Sequence, residues 1–167
     1  MINMFNTLFV TMFGLGKIRF FPGTFGSLAT IIILYVCFHI LKIDSGFILV
    51  GLIIIFIYSF SAVTQHTQNS ENKDPGEIII DEFIGQSIPI YLYEISHGTN
   101  KEPNEAIIVY FICFILFRYF DIMKPFPVSY FDQNHKNSFG VIMDDVCAGF
   151  YVVLSLICFM ILKSYIL

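Results

Sequence analysis

The chain has 167 residues, of which 56% are hydrophobic and only 13% charged, whereas soluble domains carry about 25% charged residues. A mean hydropathy of +0.75 excludes an ordinary soluble domain and points to an integral membrane protein. The formal net charge of −4 comes from clustered acids, and no basic run suggests a nucleic-acid partner.

The length suits one membrane-embedded domain over residues 1–167. Residues 1–16 are apolar, but Lys17 and Arg19 follow this stretch instead of preceding it, and no small-residue cleavage site is evident. That pattern predicts an interfacial helix leading into the bundle, not a signal peptide. At 21–28 (FPGTFGSL), Pro22 and Gly23 form a turn, and Thr24 and Ser27 offer hydroxyls at a helix start. A first span follows at about 25–41, then a break at 42–46 and a second span at 47–64. Residues 45–65 run 21 positions without a charge, enough to cross about 30 Å of hydrocarbon. A polar loop at 65–77 precedes a third apolar segment, 78–95, interrupted by Asp81, Glu82 and Pro89. A second loop, 96–104, leads to a helix from 106 through Arg118 and Asp121 to Lys124, stopped by Pro125 and Pro127. A polar loop at 132–138 precedes the last span, about 142–162. The expected fold is an all-α, polytopic helical bundle with about five membrane-embedded helices.

Charge tests the topology. With five crossings and the N-terminus inside, Lys17, Arg19, Lys73, Arg118, Lys124 and Lys136 lie inside, and Lys42, Lys101 and Lys163 outside. The same arrangement puts 17–24, 74–82 and 118–145 on the cytoplasmic face. Cys37, Cys113, Cys147 and Cys158 lack CxxC spacing and read as buried thiols. The four histidines are scattered, which argues against zinc.

Five carboxylates stand out: Asp81, Glu82, Asp121, Asp144 and Asp145 lie within or against apolar segments. One such group at the centre of a spanning helix costs roughly 2.5–3.5 kcal/mol, so these acids should face a bundle interior, pair with cations or hold a metal. Arg118, Asp121 and Lys124 share one helical face. That stripe is either an interfacial ion-pair ladder or a carboxylate for metal with two cations for phosphate. Each adjacent acidic pair diverges by about 100° on a helix, so one member is expected to bind directly and the other through a mediating group. The plainer reading is that each pair favours a helix N-terminus in the first turn, better suited to Asp144-Asp145 than to Asp81-Glu82. Gly85 and Gly149 lie four residues beyond Asp81 and Asp145 and would permit close helix approach. Carboxylates without imidazole or thiolate suit Mg²⁺, and the turn at 21–28 could cradle a phosphate or simply cap a helix.

Three segments carry a family resemblance: GLGKIRFFPGTFGSLAT (14–30), DPGEIIIDEFIGQ (74–86) and FRYFDIMKPFPVSYFDQNHKNSFGVIMDDVCAG (117–149). In this order they closely resemble the phosphatidylglycerophosphatase A family. Phe25 and Phe126 stand where that family commonly has Trp, and Ser138-Phe139-Gly140 replaces a more glycine-rich turn. The resemblance implies a Mg²⁺-dependent phosphoric monoester hydrolase in a bacterial cytoplasmic (inner) membrane, active on phosphatidylglycerophosphate from the cytoplasmic side. It implies Asp81, Glu82, Asp121, Asp144 and Asp145 as metal or catalytic carboxylates, with Asp121, Asp145 and Lys124 in the chemistry. Arg118, Lys124 and Lys17 are the implied phosphate ligands, beside the Thr24 and Ser27 hydroxyls that the turn at 21–28 offers. The expected partners are the lipid substrate and the bilayer, with no obligate protein partner. The rival class is a cation or proton transporter using buried carboxylates, which predicts acids spread through membrane depth. The repeated acidic motif of CDP-alcohol phosphotransferases is missing, as are the signatures of histidine-based lipid phosphatases.

Overall fold

The computed structural model describes residues 4–68, 75–97, 103–135 and 137–166, and all regular structure among them is helical. A short α1 (Met4–Val10) packs against α3 (Ser45–Thr67) through Asn6. The buried Asn6 amide donates to Gln65 Oε1 at 2.7 Å and accepts from the Tyr58 hydroxyl at 2.5 Å. A 3-10 turn over Leu15–Lys17 then delivers the chain to α2 (Pro22–Tyr35). Pro22 is suited to a first helical position, because its fixed φ is already helical and it has no N–H to leave unpaired. α2 closes in one wider, π-type turn over Val36–Ile40. Asp44 starts α3 by accepting a hydrogen bond from the Gly46 amide at 2.8 Å.

α4 (Ile80–His97) occupies the middle of the bundle and packs most extensively on α7 (Ser138–Ile166), then on α2. α5 (Pro103–Met123) and the short α6 (Val128–Asn134) complete the set. Side-chain pairs fix the directions. Glu82 at the start of α4 meets Arg118 near the end of α5, while Glu94 near the far end meets His39 after α2 and Tyr110 early in α5. The long helices therefore alternate, and the starts of α2, α4 and α7 gather at one end with the last turns of α3 and α5.

Four segments are apolar and long enough to cross a membrane: Pro22–Ile40, Ser45–Thr67, Glu105–Met123 and Ser138–Tyr165. α4 falls short of that apolarity, yet nearly every residue from Ile80 to Glu94 is buried or half-buried. It meets other helices where the outer four meet lipid. The expectation of about five embedded helices is met by four apolar spans around this more polar centre.

Boundaries differ at informative places. The last helix begins at Ser138, not near 142, so Asp144 and Asp145 sit in its second turn and do not serve its N-terminus. Asp81 and Glu82 do lie in the first turn of α4, the reverse of the ranking that the flanking isoleucines suggested. Part of the expected loop at 132–138 is the end of α6. Cys158 is exposed rather than buried, because it lies on the outward part of α7, and Cys37 and Cys147 are half-buried. The positions Lys73, Lys101 and Lys136 fall outside the described residues.

Candidate active site

α4 and α7 meet through glycine. A Cβ built on Gly85 would stand 2.4 Å from the Asp145 carbonyl oxygen, and one on Gly149 would stand 2.3 Å from the Gly85 carbonyl oxygen. Both contacts are backbone on backbone. Pro89 adds to the effect: lacking an N–H, it cannot bond the carbonyl four residues earlier, which is that of Gly85. The close approach holds Asp145 against the first turns of α4.

The result is a cluster of three acids. Asp81, Glu82 and Asp145 each present a carboxylate oxygen, and these atoms lie within 4.8 Å of one another. Asp81 and Asp145 are buried, and Glu82 is half-buried. The longer side chain of Glu82 lets both members of that adjacent pair reach one spot, which the divergence of helical neighbours argued against. Of the second pair, Asp145 alone joins the group, while Asp144 turns to Lys124.

Two cations flank the cluster. Arg118 Nη1 lies 2.7 Å from Asp121 Oδ2, 4.0 Å from Glu82 Oε1 and 3.5 Å from Ser27 Oγ. Asp121 lies within hydrogen-bonding reach of Asp145, but its nearest ion pair is with Arg118. Lys124 Nζ donates to Asp132 Oδ1 at 2.6 Å and to Asp144 Oδ2 at 3.0 Å. Burial opposes the Lys124 charge, but the Asp132 hydrogen bond and the charge of Asp144 outweigh it and hold the ammonium above its ordinary range. Phe21 and Lys124, each preceding a proline, both adopt left-handed backbone at φ 51° and 44°. Proline disfavours the helical region for the residue before it, and such conformations cost of order 1–3 kcal/mol each. These two turns lie at the start of α2 and just after α5, beside the acids, while Met12, Phe13 and Lys42 adopt the same conformation elsewhere.

The start of α2 seats against this cluster. A Cβ on Gly23 would lie 2.0 Å from Glu82 Oε1 and 3.2 Å from Arg118 Nη1. No side chain caps α2, and Ser27 spends its hydroxyl proton on the Gly23 carbonyl at 3.0 Å. Thr24 is half-buried in the first turn. Lys17 is exposed on the 3-10 turn beside α2 and forms no ion pair with any described residue. Gly23→Ala should push the Glu82 carboxylate aside and lower turnover about 10- to 100-fold with helical content unchanged. Catalytic rate and circular dichroism on the same preparation check this.

Three features were not anticipated from the residue pattern. Asp132 on α6 shares Lys124 with Asp144. Gln86, one turn below Glu82 on the same face, is fully buried with neither amide atom hydrogen-bonded. Glu94 is buried at the other end of α4, 3.1 Å from His39 Nε2 and 3.0 Å from the Tyr110 hydroxyl.

The donor set fits a hard divalent cation. It is all carboxylate oxygen, and Glu82 Oε2 is buried without a hydrogen-bond partner. Carboxylates this close in a buried place need a proton or a cation between them. Asp81, Glu82 and Asp145 are the residues that would hold it.

The family model described as Phosphatidylglycerophosphatase A matches residues 8–160. A phosphatidylglycerophosphatase A of Haemophilus influenzae is 35% identical over 142 residues, covering 85% of this chain and 80% of that protein. The Escherichia coli protein of the same name is 33% identical over 138 residues, 82% of this chain and 73% of its own length. A Bacteroides thetaiotaomicron protein, 32% identical over 143 residues and covered to 84% in both chains, carries the provisional name phosphatidylinositol-3-phosphatase. No solved structure matches the chain. With its helical membrane architecture and a match over most of its length, the chain belongs to the phosphatidylglycerophosphatase A family, a family of phosphoric monoester hydrolases.

Proposed function

We propose that the protein hydrolyses the terminal phosphate of phosphatidylglycerophosphate to give phosphatidylglycerol and phosphate, with Mg²⁺ at the acid cluster and the site on the cytoplasmic face of a bacterial inner membrane. The observation that carries the reading is the convergence of Asp81, Glu82 and Asp145 beside the Arg118 guanidinium, at the end of the bundle where α2 begins uncapped. Membership of the family supports the substrate and reaction class. Lys17 and Arg19 near this end support the cytoplasmic orientation.

Bound Mg²⁺ would offset phosphate charge and make an attacking water more acidic. The protein's own groups do the rest. Arg118, steadied by Asp121, binds phosphoryl oxygens, and the open amide end of α2 with the Thr24 hydroxyl adds dipoles of the right sign, while Ser27, its proton on the Gly23 carbonyl, accepts from Arg118 and helps to place it. A water attacks phosphorus in line while the bond to the glycerol oxygen breaks. The water proton passes to a carboxylate, with Asp121 and Asp145 nearest in role, and the departing oxygen takes up a proton from solvent. Lys124 acts as a fixed cation beside Asp144 and neutralises charge on the leaving side, since its elevated proton affinity makes it a poor acid. A phospho-aspartate on Asp121, Asp144 or Asp145 is the covalent variant, and hydroxylamine-labile labelling in a rapid quench identifies it.

Purified protein in mixed micelles should release phosphate from phosphatidylglycerophosphate with Mg²⁺ and stop on chelation. Absence of turnover, or turnover indifferent to chelator, rejects the proposal. A phosphorylated phosphatidylinositol belongs in the same assay, because the Bacteroides relative's name points to that headgroup. The chemistry common to both is a phosphate monoester on a phosphatidyl headgroup.

A further inference from the structure

On the opposite side of α4 from Arg118 runs a groove of about 410 Å³ between α3, α4 and α7. Its site-side end is formed by Phe56, Ile84 and Val146, and its far end by Leu49, Tyr91 and Leu92. Ile84 to Leu92 span eight residues of helix, roughly 12 Å along the bundle. Two described lining residues carry hydroxyls, and both are satisfied within the protein: Ser87 donates to the Phe83 carbonyl at 2.6 Å and Tyr91 to the Ser45 carbonyl at 3.3 Å. The wall therefore asks for no polar partner. Leu49, Ile53 and Phe150 along it are 39%, 47% and 51% exposed, so it opens sideways, where α3 and α7 face lipid.

Its position relative to the acids gives it meaning. Val146 follows Asp145 directly, and Ile84 lies one turn beyond Asp81 on the same face of α4. Ile84 and Val146 also flank the backbone contact between Gly85 and Asp145. A lipid whose phosphate sat at the acid cluster would have its tail enter the groove at its site-side end.

We propose that this groove holds one acyl chain of the phosphatidyl substrate and so sets the depth at which the headgroup meets Asp145. The inference rests on the lipid-phosphatase reading above and adds to it a tail-binding subsite. Ile53 and Leu49 are its specificity positions, because they line the groove from the lipid side and are exposed enough to enlarge without disturbing the core.

The test compares Ile53→Trp and Leu49→Trp with Ile108→Trp, a control on α5 where Ile108 is 62% exposed. Substrates are long-chain phosphatidylglycerophosphate in mixed micelles and its deacylated, water-soluble headgroup. The groove variants should show a KM about tenfold higher for the long-chain lipid and unchanged turnover of the headgroup, while Ile108→Trp alters neither. Groove variants that match Ile108→Trp on both substrates overturn the inference. A second arm needs no turnover: a lipid carrying a diazirine in its tail and a non-hydrolysable phosphonate headgroup is photolysed with the unmodified protein. Crosslinks at 49–56 and 84–92 that phosphatidylglycerophosphate displaces and phosphatidylcholine does not support the subsite. Equal displacement by both means annular lipid only and overturns it. If the unmodified protein hydrolyses neither substrate, the functional reading fails, and the crosslinks still decide the groove.

Discussion

Replacing Asp145 by asparagine is expected to lower phosphate release by about a thousandfold or more while leaving the helical bundle intact, since charge stabilisation of the transferring phosphoryl group is the largest contribution such a site makes. The change removes one of three clustered carboxylates at nearly constant volume. Mg²⁺ affinity measured by calorimetry should fall together with the rate. Asp121→Asn should cost less, about 10- to 100-fold, because Asp121 acts partly by steadying Arg118 at 2.7 Å. The order matters as much as the size. An Asp145→Asn variant with a near-normal rate, or one less impaired than Asp121→Asn, rejects the assignment of the acid cluster as the centre.

The second large effect is on stability. Gly85→Ala should destabilise the bundle by about 3 kcal/mol, at the upper end of overpacking penalties, because the new methyl meets the Asp145 main-chain oxygen as well as the buried Phe117 ring. Gly149→Ala acts on the same crossing from the other side, against the Gly85 carbonyl that Pro89 leaves without its helical partner. Thermal midpoints in detergent measure both. Because the displaced oxygen belongs to Asp145, activity should fall even below the temperature at which the helices come apart. Full activity with a lowered midpoint would separate the crossing from the site.

Much of this arrangement was readable in the chain because proline, glycine and misplaced charge are loud signals. Pro125 and Pro127 mark the stop after α5, and acids in apolar segments mark the candidate site, whereas Pro22 and Gly23 read as a turn before a span from about 25 although α2 already begins at Pro22. The spacing of Gly85 and Gly149 from the acids anticipated the close crossing that the structure contains. What stayed hidden depends on the third dimension. A seven-residue α6 has too few turns to show a period, so Asp132 looked like part of a loop. Ser138-Phe139-Gly140 resembles a turn and so hides the start of α7, although Gly140 is the residue that packs against the His135 carbonyl. Glu94 looked like the end of a span, and its partners His39 and Tyr110 are 55 and 16 residues away in the chain. No local pattern links them.

α4 carries a further consequence, for how the protein is made. A helix with Asp81 and Glu82 in its first turn, Pro89 in its middle and Glu94 near its end is a poor solo entrant into hydrocarbon. Its acids become tolerable only beside Arg118 and Tyr110 of α5 and His39 after α2. α4 is therefore expected to enter the bilayer together with α5, as a hairpin whose open end already holds Asp81, Glu82 and Arg118. Asp145 joins them only with α7, and a chain truncated before α5 should leave α4 outside the membrane.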